Sequence, residues 1–124
     1  MNTHGAPAFI VYRRYFAAIG SLLAGLAVAL SAYAMHAAAP EAQQRLLQAA
    51  VFAFAHGLAL AALAPLAQRP MSLLALAMLL AGVFLFCGSL LAVVVLGLSP
   101  LLAPFGGALM ISGWLLYAYD RLRG

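Results

Sequence analysis

The chain has 124 residues, of which 68% are hydrophobic and only 6% charged, with a mean hydropathy of +1.11. A water-soluble domain carries about 25% charged residues, so a surface wetted all round is excluded and the bilayer is the expected solvent. The charge is one-sided: six arginines, no lysine, and only Glu41 and Asp120 as acids, for a formal net charge of +4.

Taken in chain order, the first eleven residues, His4 among them, read as a flexible or interfacial arm. A spanning helix needs about 20 apolar residues. Such runs are predicted at 15–35, 46–66 and 71–98, with a shorter fourth at 104–119. Ala39-Pro40-Glu41 reads as a helix start, with proline in the first turn and the acid at the positive end of the helix dipole. Glu41 and Arg45 are four apart and can pair. Gln43, Gln44 and Gln48 make this stretch amphipathic, so it is expected to lie in the headgroup layer before the chain turns into the second span. Gln68-Arg69-Pro70 is a short polar turn that makes spans two and three antiparallel neighbours. Gly97-Leu98-Ser99-Pro100 ends the third span. Leu101, Leu102 and Ala103 are expected to extend the buried segment without regular helix, because Pro100 and Pro104 interrupt backbone hydrogen bonding.

Orientation follows from the arginines. With four spans, Arg13, Arg14, Arg69, Arg121 and Arg123 share one side, and Arg45 alone lies on the other. The prediction is an all-α, polytopic membrane protein of one domain. Its four transmembrane helices form an antiparallel bundle with both termini cytoplasmic, in a bacterial inner membrane. Tyr12, Tyr15 and Phe16, and Trp114, Tyr117 and Tyr119, read as aromatic anchors at the inner interface. Arg13-Arg14, an apolar run and Ala37-Ala38-Ala39 also have the outline of a signal peptide. The run is longer than such a segment needs, and the arginines are read as a topology anchor. No basic patch on a water-exposed folded domain is expected, so nucleic acid is not an expected partner. The lone Cys87 excludes an intramolecular disulfide.

Four stretches then carry a resemblance: "SAYAMH" (Ser31 to His36), "FAFAHGLAL" (Phe52 to Leu60), "FLFCGSL" (Phe84 to Leu90) and "APFGGALMISGW" (Ala103 to Trp114). In this order they resemble the YgdD-like family of small, uncharacterised four-helix membrane proteins, bacterial with animal relatives. The chain departs from that family in having fewer glycines before His36 and no polar residues just before His56. The resemblance implies a fold and a membrane location and supplies no reaction.

The candidate polar cluster is His56, His36, Gln48, Cys87, Ser89, Gly106 and Gly107, all expected in the middle or outer half of the membrane. An ionisable group within a span is costly and is a functional candidate by default. His56 is expected to face the bundle interior against span three, near Phe86 to Ser89, with Ser89, Cys87 or a carbonyl beside Gly88 as its partner. Ala53, Ala59 and Leu63 then pack inward, and Phe54, Leu58 and Pro65 outward. The rows Ser21, Gly25, Ala29, Tyr33 and Ala77, Ala81, Gly88, Ala92, with Gly106, Met110, Gly113, read as packing seams. His36 and His56 differ in depth by roughly 15 Å at the helical rise, too far to share an ion, so neither metal nor cofactor is expected. No carboxylate lies within a span, which leaves acid–base catalysis without its parts. The leading expectation is a non-enzymatic protein acting through helix contacts, as a homo-oligomer or an accessory subunit of a larger membrane complex. The alternative is a small transporter or channel for a proton, ion or metabolite, with an outer site near His56.

Overall fold

The computed structural model describes residues 6–124, and among them the regular structure is entirely helical. Helix α1 runs Ala6–His36, α2 Pro40–Leu63, α3 Pro70–Leu96 and α4 Ala103–Leu122. The expected arm is therefore helical from Ala6 onward, while residues 1–5 lie outside the described residues.

The breaks have local causes. Ala39 is extended (φ −61°, ψ 145°) and Pro40 opens α2. That helix is continuous through the glutamines, so no separate interfacial segment precedes the second apolar run. Instead of pairing, Glu41 and Arg45 stay apart: the ion pairs among the described residues all converge on Asp120. Gln43 reaches back and donates from Nε2 to the carbonyl of Ala34 at 3.1 Å, near the end of α1. Pro65 has no N–H to continue the α pattern, and α2 tightens into a 3₁₀ turn over Ala64–Leu66. Arg69 is extended and Pro70 opens α3. Gly97 ends α3 in the left-handed region (φ 68°), where glycine avoids a Cβ clash. Leu101 and Leu102 form an exposed turn without regular helix, as expected, while Ala103 already belongs to α4.

Helix α1 packs along α2 and α4 along α3, forming two antiparallel hairpins that meet mainly through α2 and α3. Glycines set both hairpin crossings. A Cβ on Gly20 would lie 2.6 Å from the Gly57 carbonyl oxygen, and one on Gly57 would lie 2.6 Å from that of Gly20. In the second hairpin a Cβ on Gly106 would lie 2.7 Å from the Gly82 carbonyl oxygen, and one on Gly113 would lie 2.9 Å from the Leu79 side chain. Leu60, Leu76, Leu79, Val83 and Met110 fill the space between the hairpins.

The expected seam on α4 is therefore correct, and the other two are rotated. On α1, Ser21, Gly25, Ala29 and Tyr33 face outward, while the inward row is Gly20, Ala27 and Ala34. That spacing of seven is the packing period of slowly supercoiled helices. On α3, Ala81 and Gly88 are exposed and Ala77 and Ala92 only half-buried. Its inward face is Ala75, Leu76, Leu79, Gly82 and Val83.

Three helical stretches, Ala8–His36, Pro40–Leu66 and Pro70–Leu96, are long and apolar enough to cross a membrane. Their outward faces carry Leu22, Leu26, Val28, Val51, Phe54, Leu58, Leu74 and Phe84. An apolar surface so extensive points to a membrane protein.

Adjacent glycines give a sharp test of the second crossing. Gly106→Ala must push α4 off Phe86 and Gly82, whereas a Cβ on Gly107 meets nothing within 4 Å. Thermal melting in mild detergent is expected to show a loss of about 1–3 kcal/mol for Gly106→Ala and little or none for Gly107→Ala.

Candidate functional site

His56 lies on the inward face of α2, 7% exposed. Ala53 is buried beside it and Ala59 and Leu63 are half-buried, while Phe54, Leu58 and Pro65 are exposed, so the helix has the rotation expected from its sequence. The hydrogen-bond partner differs from expectation. Trp114 of α4 donates its indole N–H to His56 Nε2 at 3.1 Å, and Nδ1 lies 2.9 Å from the Phe52 carbonyl one turn back. Indole is only a donor, so Nε2 must be the bare nitrogen and Nδ1 must carry the proton toward Phe52. Both ring nitrogens of a neutral imidazole are thereby satisfied.

Helix α3 supports this pair with an aromatic ring. Phe86 packs on Phe52 with centroids 4.6 Å apart, and Phe52 in turn stacks near-parallel on the imidazole at 5.9 Å. Trp114, expected to be an interfacial anchor, instead joins the two hairpins; it is half in the bundle and 39% exposed. The signal was present in the sequence. A buried histidine on one helix needs a partner at its own depth, and Trp114 is a strong donor within α4.

The remaining candidates do not gather around His56. Cys87 is buried and its thiol donates to the Ala49 carbonyl at 3.2 Å, about two turns of α2 away from His56. Ser89 is buried on α3. Gln48 and His36 are exposed, the latter in the last turn of α1. Gly106 and Gly107 both lie in α4, with Gly106 pressed against α3 and Gly107 open. The structure thus divides the expected polar cluster among separate faces. Among the described residues, no group of three His, Cys, Asp or Glu side chains is placed to share an ion.

A second polar centre was missed in the sequence. Asp120, in the last turn of α4, has 0% of its surface exposed. A carboxylate there opposes the dipole of its own helix. The antiparallel packing compensates by placing it against the first turn of α3, where Ser72 donates its hydroxyl to Asp120 Oδ2. Arg69 Nε approaches Oδ1 at 3.3 Å, and its Nη2 donates to the Asp120 carbonyl. Arg121 Nη2 is 3.4 Å from Oδ2 and donates to Ser72 Oγ at 2.9 Å, and Arg123 Nε is 3.7 Å from Oδ1. The guanidinium groups of Arg121 and Arg123 lie over the rings of Tyr117 and Tyr119 at 5.1 Å and 6.0 Å. Two arginines closely following a lone acid at a helix end, with Arg69 in a turn at the same end, were the available clue.

Two measurements follow from these centres. Trp114→Phe leaves His56 Nε2 unpaired, at about 1–3 kcal/mol for a buried group. The loss for His56→Leu combined with Trp114→Phe is expected to be smaller than the sum of the single losses by about 1 kcal/mol, measured as a double-mutant cycle of detergent melting curves. The Ser72 hydroxyl bond lowers the Asp120 pKa, opposed by desolvation and assisted by Arg69 and Arg121. A lowered pKa stabilises the fold above the ordinary aspartate value of about 3.9, and that contribution disappears as pH falls through the folded-state pKa. Melting temperature is therefore expected to drop on acidification below about pH 4, and Asp120→Asn to abolish that part of the drop.

Neither the curated proteins nor the solved structures include a significant match to this chain. A family match does exist. Residues 29–107, well over half of the chain, match the family described as "Protein of unknown function (DUF423)". The match covers the end of α1, all of α2 and α3, and the start of α4, and so includes His56, Cys87 and Gly106. It is consistent with the resemblance to the YgdD-like proteins. On the extent of that match, the chain belongs to the DUF423 family of uncharacterised proteins.

Proposed function

We propose that the chain is a four-span protein of the bacterial inner membrane, without enzymatic activity, acting through helix contacts as a homo-oligomer or an accessory subunit of a membrane complex. The observation carrying this reading is the outward turn of two small-residue rows. Ser21, Gly25 and Ala29 on α1, and Ala81 and Gly88 on α3, are exposed, and a Cβ on Gly25 or Gly88 would meet nothing within 4 Å. Small residues let membrane helices approach closely. The internal crossings at Gly20, Gly57, Gly82 and Gly106 use other faces, so these rows are free for another chain.

Helix α4 reads as the fourth span because it runs antiparallel along α3 from the Gly82–Gly106 crossing to the Ser72–Asp120 bond. At 1.5 Å per residue the stretch from Ala103 to Tyr119 rises about 25 Å, close to the roughly 30 Å of a hydrocarbon core, and leaves Asp120 and the arginines beyond its end. Arg13 bonds Ala64 and Arg69 bonds Asp120, so Arg13, Arg69 and the arginines at the end of α4 share one end of the bundle. The positive-inside rule assigns that end, and with it both termini, to the cytoplasm. Transport of a proton, ion or metabolite past His56 is the weaker reading, because both nitrogens of that ring are held by protein partners.

The test is native mass measurement of the full chain purified in mild detergent. More than one copy, or a stoichiometric protein partner, is expected. Gly25→Leu with Gly88→Leu is expected to reduce the assembly while leaving the melting curve of the bundle in place. A strict monomer with no co-purifying protein overturns the reading.

A further inference from the structure

The Asp120 centre does more than join α3 to α4. Three guanidinium groups stand against one carboxylate, leaving two positive charges in excess, and among the described residues no other acidic group pairs with these arginines. Their side chains are 29%, 43% and 46% exposed for Arg69, Arg121 and Arg123, so the carboxylate lies beneath a basic surface. Each guanidinium has five N–H donors. Arg121 uses only its Nη2 on Ser72 and Asp120, and Arg123 approaches the carboxylate only through Nε. The remaining donors are available, and each of the two groups lies over a tyrosine ring, Arg121 over Tyr117 and Arg123 over Tyr119. A polar cavity of about 290 Å³ opens there, lined by Gln68, Arg69, Arg121 and Gly124.

From this arrangement we infer that the arginine end of the bundle is a binding site for a phosphate group, the headgroup phosphate of an anionic phospholipid in the cytoplasmic leaflet. The chemistry is direct. Planar guanidinium forks match phosphate oxygens, and groups already held in place lose little freedom on binding. Asp120 has the supporting role: it gathers the three arginines at one point while neutralising only one of them. Basic sites beside membrane helices attract anionic headgroups at about 1 kcal/mol per arginine, a factor of about five each. The inference rests on the membrane placement and orientation proposed above.

The experiment uses the full chain in nanodiscs of phosphatidylcholine containing a minor fraction of phosphatidylglycerol, read by native mass spectrometry of the released protein and its bound lipids. Wild type is expected to retain phosphatidylglycerol well above its share of the disc. Arg123→Gln, the most exposed of the three and the one furthest from the carboxylate, is expected to lower that enrichment about fivefold. Arg121→Gln with Arg123→Gln lowers it further, while the charge-retaining R121K/R123K pair keeps most of it. Inorganic phosphate distinguishes the source: a raised melting temperature in pure phosphatidylcholine discs on adding phosphate, without phosphatidylglycerol enrichment, assigns the site to a free anion and overturns the lipid assignment. Equal enrichment in wild type and a folded Arg123→Gln variant, or none in wild type, overturns the inference. The same spectra report copy number, so a monomer that still retains phosphatidylglycerol refutes the contact role alone.

Discussion

Backbone-to-backbone approach at glycine is the constraint on which the rest of this structure depends. Gly20 against Gly57 and Gly82 against Gly106 bring helix axes so close that a single methyl group would strike a carbonyl. In hydrocarbon, apolar side chains gain nothing by leaving lipid for one another, and close packing takes over as the adhesive. Once these crossings are set, the rotation of each helix is fixed. Rotation in turn decides that His56 points toward α4 rather than outward from the bundle, and that Ser72 meets Asp120.

The two polar centres obey one rule at two depths. Polar atoms removed from water must find partners inside the protein. Around His56 the solution is neutral: an imidazole accepts from indole and donates to a carbonyl, with aromatic rings closing over it. At the arginine end it is ionic, and the opposed dipoles of α3 and α4 help to hold a carboxylate that α4 alone would disfavour. One centre links the hairpins to each other, and the other closes the second hairpin at its open end.

Much of the fold was legible because its causes are local. Pro40, Pro70 and Gly97 mark boundaries that any apolar context would respect, and the helical period correctly rotated α2 about His56. What was illegible depended on which helix lies beside which. The row Ser21, Gly25, Ala29 and Tyr33 lies on a face of α1 that points outward, since a run with small residues all round gives no stripe to select. The same uniformity hid the inward face of α3, which is apolar on every side. Trp114 and Asp120 were visible as residues but not as partners. Their roles arise from where α4 packs: along α3 it brings Asp120 to Ser72, 48 residues away, and against α2 it brings Trp114 to His56, 58 residues away. The candidate cluster scattered for a related reason: similar depth along separate helices does not place side chains on facing surfaces.

Trp114 is the single tryptophan in the chain, and its indole N–H is committed to the opposite hairpin. The protein therefore carries an intrinsic optical label at the joint between its halves. Indole emission responds to hydrogen bonding and to the polarity around the ring, and this ring is partly covered by protein and partly open at the bundle surface. Light emitted by native material thus reports whether the halves are docked, with no dye attached and no residue replaced.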